Sequence, residues 1–395
     1  MDILCLFITY PNKPDNHTMF KNLTKRLSDK GHNVNVVTIQ ERKYGESTKL
    51  NNENGVNVLR VKTGNFFDTN LIEKGLTMLS LGHLFKRAVK KYFSEIDFDL
   101  IIHSCPPITY NPLIKYIKKK YNSKSYLILR DIFPDNAKDL GVIDNIFIYK
   151  FFKRMERNLY KYSDYIGCMS QGNIKYVLEH NPEVDEKKMH ILRNWSNYKE
   201  KLSVDQNSIR KDYGYTKDDF IAVFGGNMGK AQGLDFILNI AKKIESKRIK
   251  FLLIGRGTQK ERLKKRAIDG ILKILDYVPK EQYEKLVTAC DVGIVSLVNK
   301  YSIPNIPSKT VDFFKLGLPI IACIDESTDY GHILENEAKA GLFSIHGEEI
   351  DFINNLMEVA NNENLRNKMS INARQYYEEY LTTEKATKTI LKEIK

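Results

Sequence analysis

The sequence predicts an α/β protein made of two doubly wound domains. Short apolar runs alternate with amphipathic stretches in both halves of the chain. A polar, non-periodic stretch from Ser196 to Asp219 separates the halves. Glycine- and proline-rich segments follow the ends of many apolar runs, as they do where parallel strands turn into crossover helices. The length of 395 residues is long for one core and comfortable for two. Apolar residues at 42% and charged residues at 28% are ordinary for a globular protein.

In the first half, Ile3–Thr9 is an apolar strand, and the spacing of Met19, Leu23 and Leu27 predicts a helix over Thr18–Lys30, stopped by Gly31. Asn33–Ile39 and Val56–Val61 are the next strands, and Leu71–Phe93 is a long helix. Leu100–His103 is a strand that ends in SCPP, and Tyr126–Leu129 is a strand that ends in RDIFPDN. A helix over Ile146–Tyr162 and short strands at Tyr165–Met169 and His190–Leu192 complete this half.

The β/α rhythm restarts after Asp219. Phe220–Phe224 is a strand that ends in GGNMG, followed by a helix to Glu245. Phe251–Ile254 ends in GRG. Ile271–Leu275, Val292–Leu297, Ile320–Cys323 and Gly341–Ile345 are further strands, and helices at 363–380 and 383–394 close the chain.

Open α/β sheets bind ligands beyond the carboxyl ends of their strands, and two such domains place the expected site in the cleft between them. The candidate residues therefore follow strands. In Gly225–Gly233 (GGNMGKAQG), glycines allow close backbone approach and the next helix offers free amides to an anion; a tight strand-to-helix turn without a ligand is the alternative. Lys230 adds a mobile positive charge there, and Arg256 is placed to meet a phosphate or a base.

After the Val292 strand comes the long connection LVNKYSIPNIPSK. Ser308 is expected as a helix N-cap with Lys309 in the first turn, where a cation opposes the helix dipole unless an anion relieves it. Asp312, one turn on, can accept hydrogen bonds from a ribose diol, or can simply be a first-turn surface acid. Asp15, Asn16 and His17 lead from the first strand into a helix. Arg130 and Asp131 stand at a strand end where catalytic groups are expected, with a structural ion pair as the alternative.

The net charge of +13 favours an anionic partner. Lysines and arginines concentrate in KRAVKK (86–91), KYIKKKYNSK (115–124) and the helix from Phe147 to Tyr162, whose apolar positions are 148, 151, 152, 155 and 159. That pattern fits a core-facing stripe with a solvated basic side, or a peripheral surface drawn to anionic lipid. No nucleic-acid-binding signature, Walker loop or dinucleotide fingerprint is present. The five cysteines have no C-x-x-C spacing, so reduced core thiols and a cytoplasmic protein are expected. MDILCLFITYP reads as a strand and not as a signal peptide. No run of about 18 apolar residues predicts a membrane span.

SCPP (104–107), LRDIFPDNAKDLGVI (129–143), FGGNMGKAQGLDFIL (224–238), LLIGRGTQKERL (252–263), YVPKEQYEKLVTACDVGIV (277–295) and IPSKTVDFFKLGLPIIA (306–322) together resemble the family-4 glycosyltransferases of the GT-B fold. These are retaining and metal-independent. The nearer likeness is to bacterial capsule and O-antigen transferases of the N-acetylfucosamine type. The resemblance covers nearly the whole chain. It implies an acceptor domain over 1–195, a nucleotide-sugar donor domain over 196–379, and a C-terminal helix, 380–395, that rejoins the first.

It further implies donor-binding roles for Asn16, His17, Gly226, Asn227, Lys230, Gln232 and Arg256. Tyr277 and Val278 would lie beside the base, Ser308 and Lys309 would hold the diphosphate, and Asp312 would meet the ribose. Arg130, Asp131 and Lys309 would be the catalytic groups. No metal and no cofactor are implied beyond the donor, with a UDP-sugar favoured. The acceptor would be a saccharide, polyprenyl-diphosphate-linked, at the inner face of the membrane. The sequence departs from the family at Pro304, eight residues before Asp312, where the family has an acid. It departs again at Asn227 and Gln232, where the family has Arg and Lys. A nucleotide-sugar epimerase of the same fold and a non-catalytic relative are the alternatives.

Overall fold

The computed structural model describes residues 1–12 and 18–394. The chain divides into two compact units, Met1–Asn197 with Thr382–Lys395, and Tyr198–Leu381. Asp15, Asn16 and His17 lie outside the described residues.

The first unit runs β1 (Asp2–Leu6), α1 (Met19–Asp29), β2 (Asn33–Glu41), β3 (Lys49–Glu53), β4 (Val56–Thr63), α2 (Leu71–Tyr92), β5 (Leu100–Cys105), α3 (Asn111–Tyr121), β6 (Lys124–Leu129), α4 (Asp135–Asp139), α5 (Ile146–Tyr162), β7 (Tyr165–Cys168), α6 (Gln171–His180) and β8 (Met189–Ile191). The sheet order is β3-β4-β2-β1-β5-β6-β7-β8. All neighbours are parallel except β3, which pairs antiparallel with β4. Central β1 is an apolar run because both its faces are covered; Cys5 sits opposite Val36 on one side and Ile102 on the other.

Side chains begin the helices where the backbone amides lack partners. Thr18 accepts from Lys21 N, and Asn145 accepts from Phe147 N and Ile148 N. Helices α2, α3 and α5 pack side by side on one face of the sheet.

The second unit runs α7 (Gln206–Asp212), β9 (Phe220–Asn227), α8 (Asp235–Lys243), β10 (Ile249–Arg256), α9 (Lys260–Lys264), β11 (Leu272–Leu275), α10 (Lys280–Thr288), β12 (Val292–Ser296), α11 (Thr310–Leu316), β13 (Ile320–Ile324), α12 (Tyr330–His332), β14 (Gly341–Ile345), α13 (Glu349–Asn361) and α14 (Glu363–Tyr380). Its six strands are parallel in the order β11-β10-β9-β12-β13-β14. The chain winds outward from β9 to β11, then restarts at β12 and winds the other way. The switch point lies between β9 and β12, where such sheets leave a crevice at the carboxyl ends.

The stretch from Ser196 to Asp219 is not a structureless linker. It contains α7, capped by Asp205 and held by the buried Arg210, whose guanidinium bonds Asp291 at 2.9 Å and the Ala289 carbonyl at 2.8 Å. After α14 the chain re-enters the first unit. Thr382 bridges Ser196, and a last helix α15 (Thr383–Glu393) packs on α1 with Ala386 and Ile390 in the core. All five cysteines are free and buried.

Candidate active site

The carboxyl ends of β9 and β10 lie together, with Gly225 opposite Ile254 and Gly255 opposite Gly226. These glycines permit an approach that no side chain would. A Cβ on Gly255 would fall 1.9 Å from the Gly226 carbonyl oxygen, and one on Gly225 would fall 2.0 Å from the Tyr283 hydroxyl. Gly226 and Gly255 also have φ of +136° and +150°, values that favour glycine.

Above these strand ends opens a cavity of about 640 Å³. Its floor is Gly225–Asn227 and Ile254–Arg256, and its walls are Tyr277, Val278, Lys280 and Tyr283 from the β11–α10 segment and Lys309 and Asp312 from α11 and its entry. Three cations therefore meet one carboxylate there.

Lys309 is the distinctive group. Its Nζ donates to Gln232 Oε1 and stands 3.7 Å from the centre of the Phe224 ring. No carboxylate forms an ion pair with it among the described residues. Burial lowers the Lys309 pKa from its ordinary value to about 7, because the ammonium has lost water without gaining an opposite charge. The ring face and the amide oxygen offset part of that loss. An anion entering the cavity would supply the missing partner.

Asp312 is held in place from below. Lys315 Nζ donates to Asp312 Oδ1 at 2.8 Å and to Glu284 Oε1 at 2.7 Å, and Lys199 Nζ donates to Glu284 Oε2 at 2.6 Å. Burial alone would lower the Lys315 ammonium, but Asp312 and Glu284 outweigh it and its pKa is raised. Burial alone would raise Glu284, but Lys199 and Lys315 hold it below the usual carboxylate range.

Of the residues expected from sequence, the structure brings Gly226, Asn227, Arg256, Tyr277, Val278, Lys309 and Asp312 around one cavity. Gln232 reaches it through Lys309. Lys230 is exposed on the short turn Lys230–Gln232 and does not line the cavity. Ser308 is not the N-cap of α11. Turn bonds to the Pro307 and Ser308 carbonyls start the helix early, so Lys309 takes the cap position, and the Ser308 side chain is exposed without a capping bond. Lys280 and Tyr283 were not expected; the signal available was Pro279, which starts a helix directly behind Tyr277 and Val278.

Arg130 and Asp131 belong to the first unit, beyond the end of β6. No ion pair joins them among the described residues. Their amides donate to the Cys105 carbonyl at 3.3 and 3.4 Å, and the Arg130 guanidinium lies 5.8 Å over the Phe20 ring, its buried Nε without a partner among the described residues. The loop is pinned by Asp135, which accepts from the Tyr149 hydroxyl at 2.5 Å and pairs with Lys153 at 2.9 Å. Lys153 also pairs with Glu156, which is fully buried and bonded by the Tyr160 hydroxyl at 2.9 Å. Among the described residues, no group of three His, Cys, Asp or Glu side chains could hold a metal ion, and no helix is long and apolar enough to cross a membrane.

Residues 205–376, nearly all of the second unit, match the family model described as Glycosyl transferases group 1. Two relatives extend the likeness. WbjE of Pseudomonas aeruginosa, named a probable glycosyltransferase, is 23% identical over 274 residues, covering 67% of this chain and 66% of its own length. WcaI of Escherichia coli K12, a glycosyl transferase assigned by name to colanic acid biosynthesis, is 22% identical over 273 residues, covering 66% of this chain and 67% of its own. The chain thus aligns with about two thirds of each relative. Among solved structures, Anabaena HepE in complex with UDP and glucose superposes with a TM-score of 0.71 at 14% identity, covering 99% of this chain and 98% of HepE. The fold is GT-B, with two doubly wound Rossmann-like domains.

Proposed function

We propose that the chain is a retaining glycosyltransferase that moves a sugar, of the amino-deoxysugar class, from a nucleoside diphosphate sugar to a lipid-linked saccharide acceptor in bacterial surface polysaccharide synthesis. The observation that carries this reading is Lys309, a dehydrated ammonium without a carboxylate partner among the described residues, facing a cavity floored by glycine backbone. That arrangement suits a diphosphate. Lys280 and Arg256 add charge, and Asp312 offers a carboxylate for a ribose diol. A UDP-sugar is favoured because the relative fold in HepE is described with UDP and glucose. A polysaccharide product is favoured because WcaI is named for colanic acid biosynthesis.

In the reaction, the bond between the anomeric carbon and the β-phosphate oxygen breaks, and the acceptor hydroxyl oxygen bonds to that carbon on the same face. The hydroxyl proton passes to the departing phosphate. The charge that develops on the leaving diphosphate falls on Lys309, Lys280 and Arg256, so the role of a metal is filled by fixed cations. Gly226 and Asn227 line the diphosphate, Tyr277 and Val278 the base. Gln232 orients Lys309, and Arg130 and Asp131 serve the acceptor side. The test is mass spectrometry of products from a panel of nucleotide sugars and lipid-linked saccharides, with and without EDTA. The expected product is the acceptor plus one sugar, formed equally with EDTA. A new epimer of the donor without an acceptor, or no product from any pair, would refute the proposal.

A further inference from the structure

Helices α2, α3 and α5 of the first unit carry fourteen lysines and arginines and only two glutamates. Nearly all of the chain's net charge of +13 therefore sits on three neighbouring helices on one sheet face. Neither glutamate offsets this outwardly, since Glu73 pairs with Arg42 at 2.8 Å and Glu156 is buried against Lys153 and Tyr160. Sequence shows three separate basic segments; the fold gathers them.

The basic residues form a built feature. Lys86, Lys115, Lys119 and Lys120 surround Tyr116 in a hollow of about 540 Å³ that no carboxylate lines. The Lys86 and Lys90 ammoniums lie 5.2 and 4.7 Å from the centre of the Tyr116 ring. On the same helices, large apolar side chains face water. Ile72 and Phe147 are each 78% exposed, and Leu71, Leu76, Ile148 and Phe151 are exposed beside them. They occupy the N-terminal ends of α2 and α5, which flank α3 and its lysines.

We propose that this face docks on an anionic lipid bilayer. The apolar ends of α2 and α5 enter the boundary between head groups and acyl chains, and the lysine hollow of α2 and α3 takes lipid phosphates. Long lysine stems suit this, because they keep the ammonium at head-group level while the apolar residues sit deeper. Charge complementarity selects this occupant: Asp164, Asp135 and Glu183 pair with Lys118, Lys153 and Arg157, and the apolar anchors beside the remaining basic field match a negatively charged fluid surface. The surface lies wholly in the first unit and does not depend on the donor cavity.

The test is sedimentation of the full chain with phosphatidylcholine vesicles, with and without phosphatidylglycerol. The chain should sediment with the anionic vesicles only, and added salt should release it. Lys86→Glu, Lys115→Glu and Lys119→Glu together should weaken binding about tenfold or more. Phe147→Ser with Phe151→Ser should weaken it without abolishing its salt dependence. Lys211→Glu, Lys242→Glu and Lys247→Glu, the same charge change on the second unit, should leave it intact. Failure to sediment with anionic vesicles, equal sedimentation with neutral ones, or equal loss in the second-unit triple would overturn the proposal. Thermal unfolding of each variant shows that it is folded. UDP titration without vesicles keeps a failure here separate from a failure of the donor reading.

Discussion

The Lys309 ammonium stands 3.7 Å from the centre of the Phe224 ring and donates to Gln232, a setting that lowers its pKa to about 7. In the free protein Lys309 is charged below that value and loses its proton above it. A bound diphosphate favours the charged form, so affinity should be greatest below about pH 7 and fall as pH rises through it. UDP titrations between about pH 6 and about pH 9 test this. The fall should be absent in Lys309→Ala.

The bridge of Lys315 between Asp312 and Glu284 predicts a mutation with two readouts. Lys315→Met leaves Glu284 buried with Lys199 alone and should cost about 3 kcal/mol in denaturant unfolding. Asp312→Asn keeps the shape, and its stability cost should be smaller. It should still weaken donor binding by about tenfold, the effect of one charge-assisted hydrogen bond.

Gly255→Ala should destabilise the second unit by about 1–3 kcal/mol, because the new methyl meets a backbone oxygen that has nowhere to move. Nucleotide binding should fall with it, since β9 and β10 must separate at the cavity floor. Gly270→Ala, at a position with open space and a positive φ of +68°, separates backbone strain from the clash. It should lower stability and leave binding unchanged.

Burial raises the Glu156 carboxyl to about 7, against an ordinary value near 4.5. Between these values the folded state holds a proton that the unfolded chain has released. Its contribution to stability is therefore fully present below about pH 4.5 and is lost as pH rises through about 7. Chemical unfolding of wild type and Glu156→Gln should show wild type losing stability relative to the variant between about pH 5 and about pH 8.

Strongly apolar strands were legible because central parallel strands are buried on both faces; β1, β5, β9, β12 and β13 all read directly. β3 did not, since Lys49–Glu53 is a polar, mostly exposed edge strand announced only by the turn at Asn54 and Gly55, both with positive φ. α7 was hidden for a similar reason: its anchor is a buried arginine, not an apolar stripe. Glycine spacing pointed to the cavity floor, because close backbone approach leaves a sequence mark. The network from Asp312 through Lys315 and Glu284 to Lys199 left none, since its members are spread from position 199 to position 315 and meet only in the folded unit. The lowered pKa of Lys309 was equally invisible, being a product of packing against Phe224 and Gln232.

The central claim is that the cavity of the second unit holds the diphosphate of a nucleotide donor. Isothermal titration of UDP, GDP and their sugars into wild type, Lys309→Ala and Asp312→Asn tests it most directly. The account predicts saturable binding of at least one nucleotide, weakened about tenfold or more in both variants. No binding at about millimolar ligand, where even weak sites fill, or equal binding by all three proteins, would contradict it.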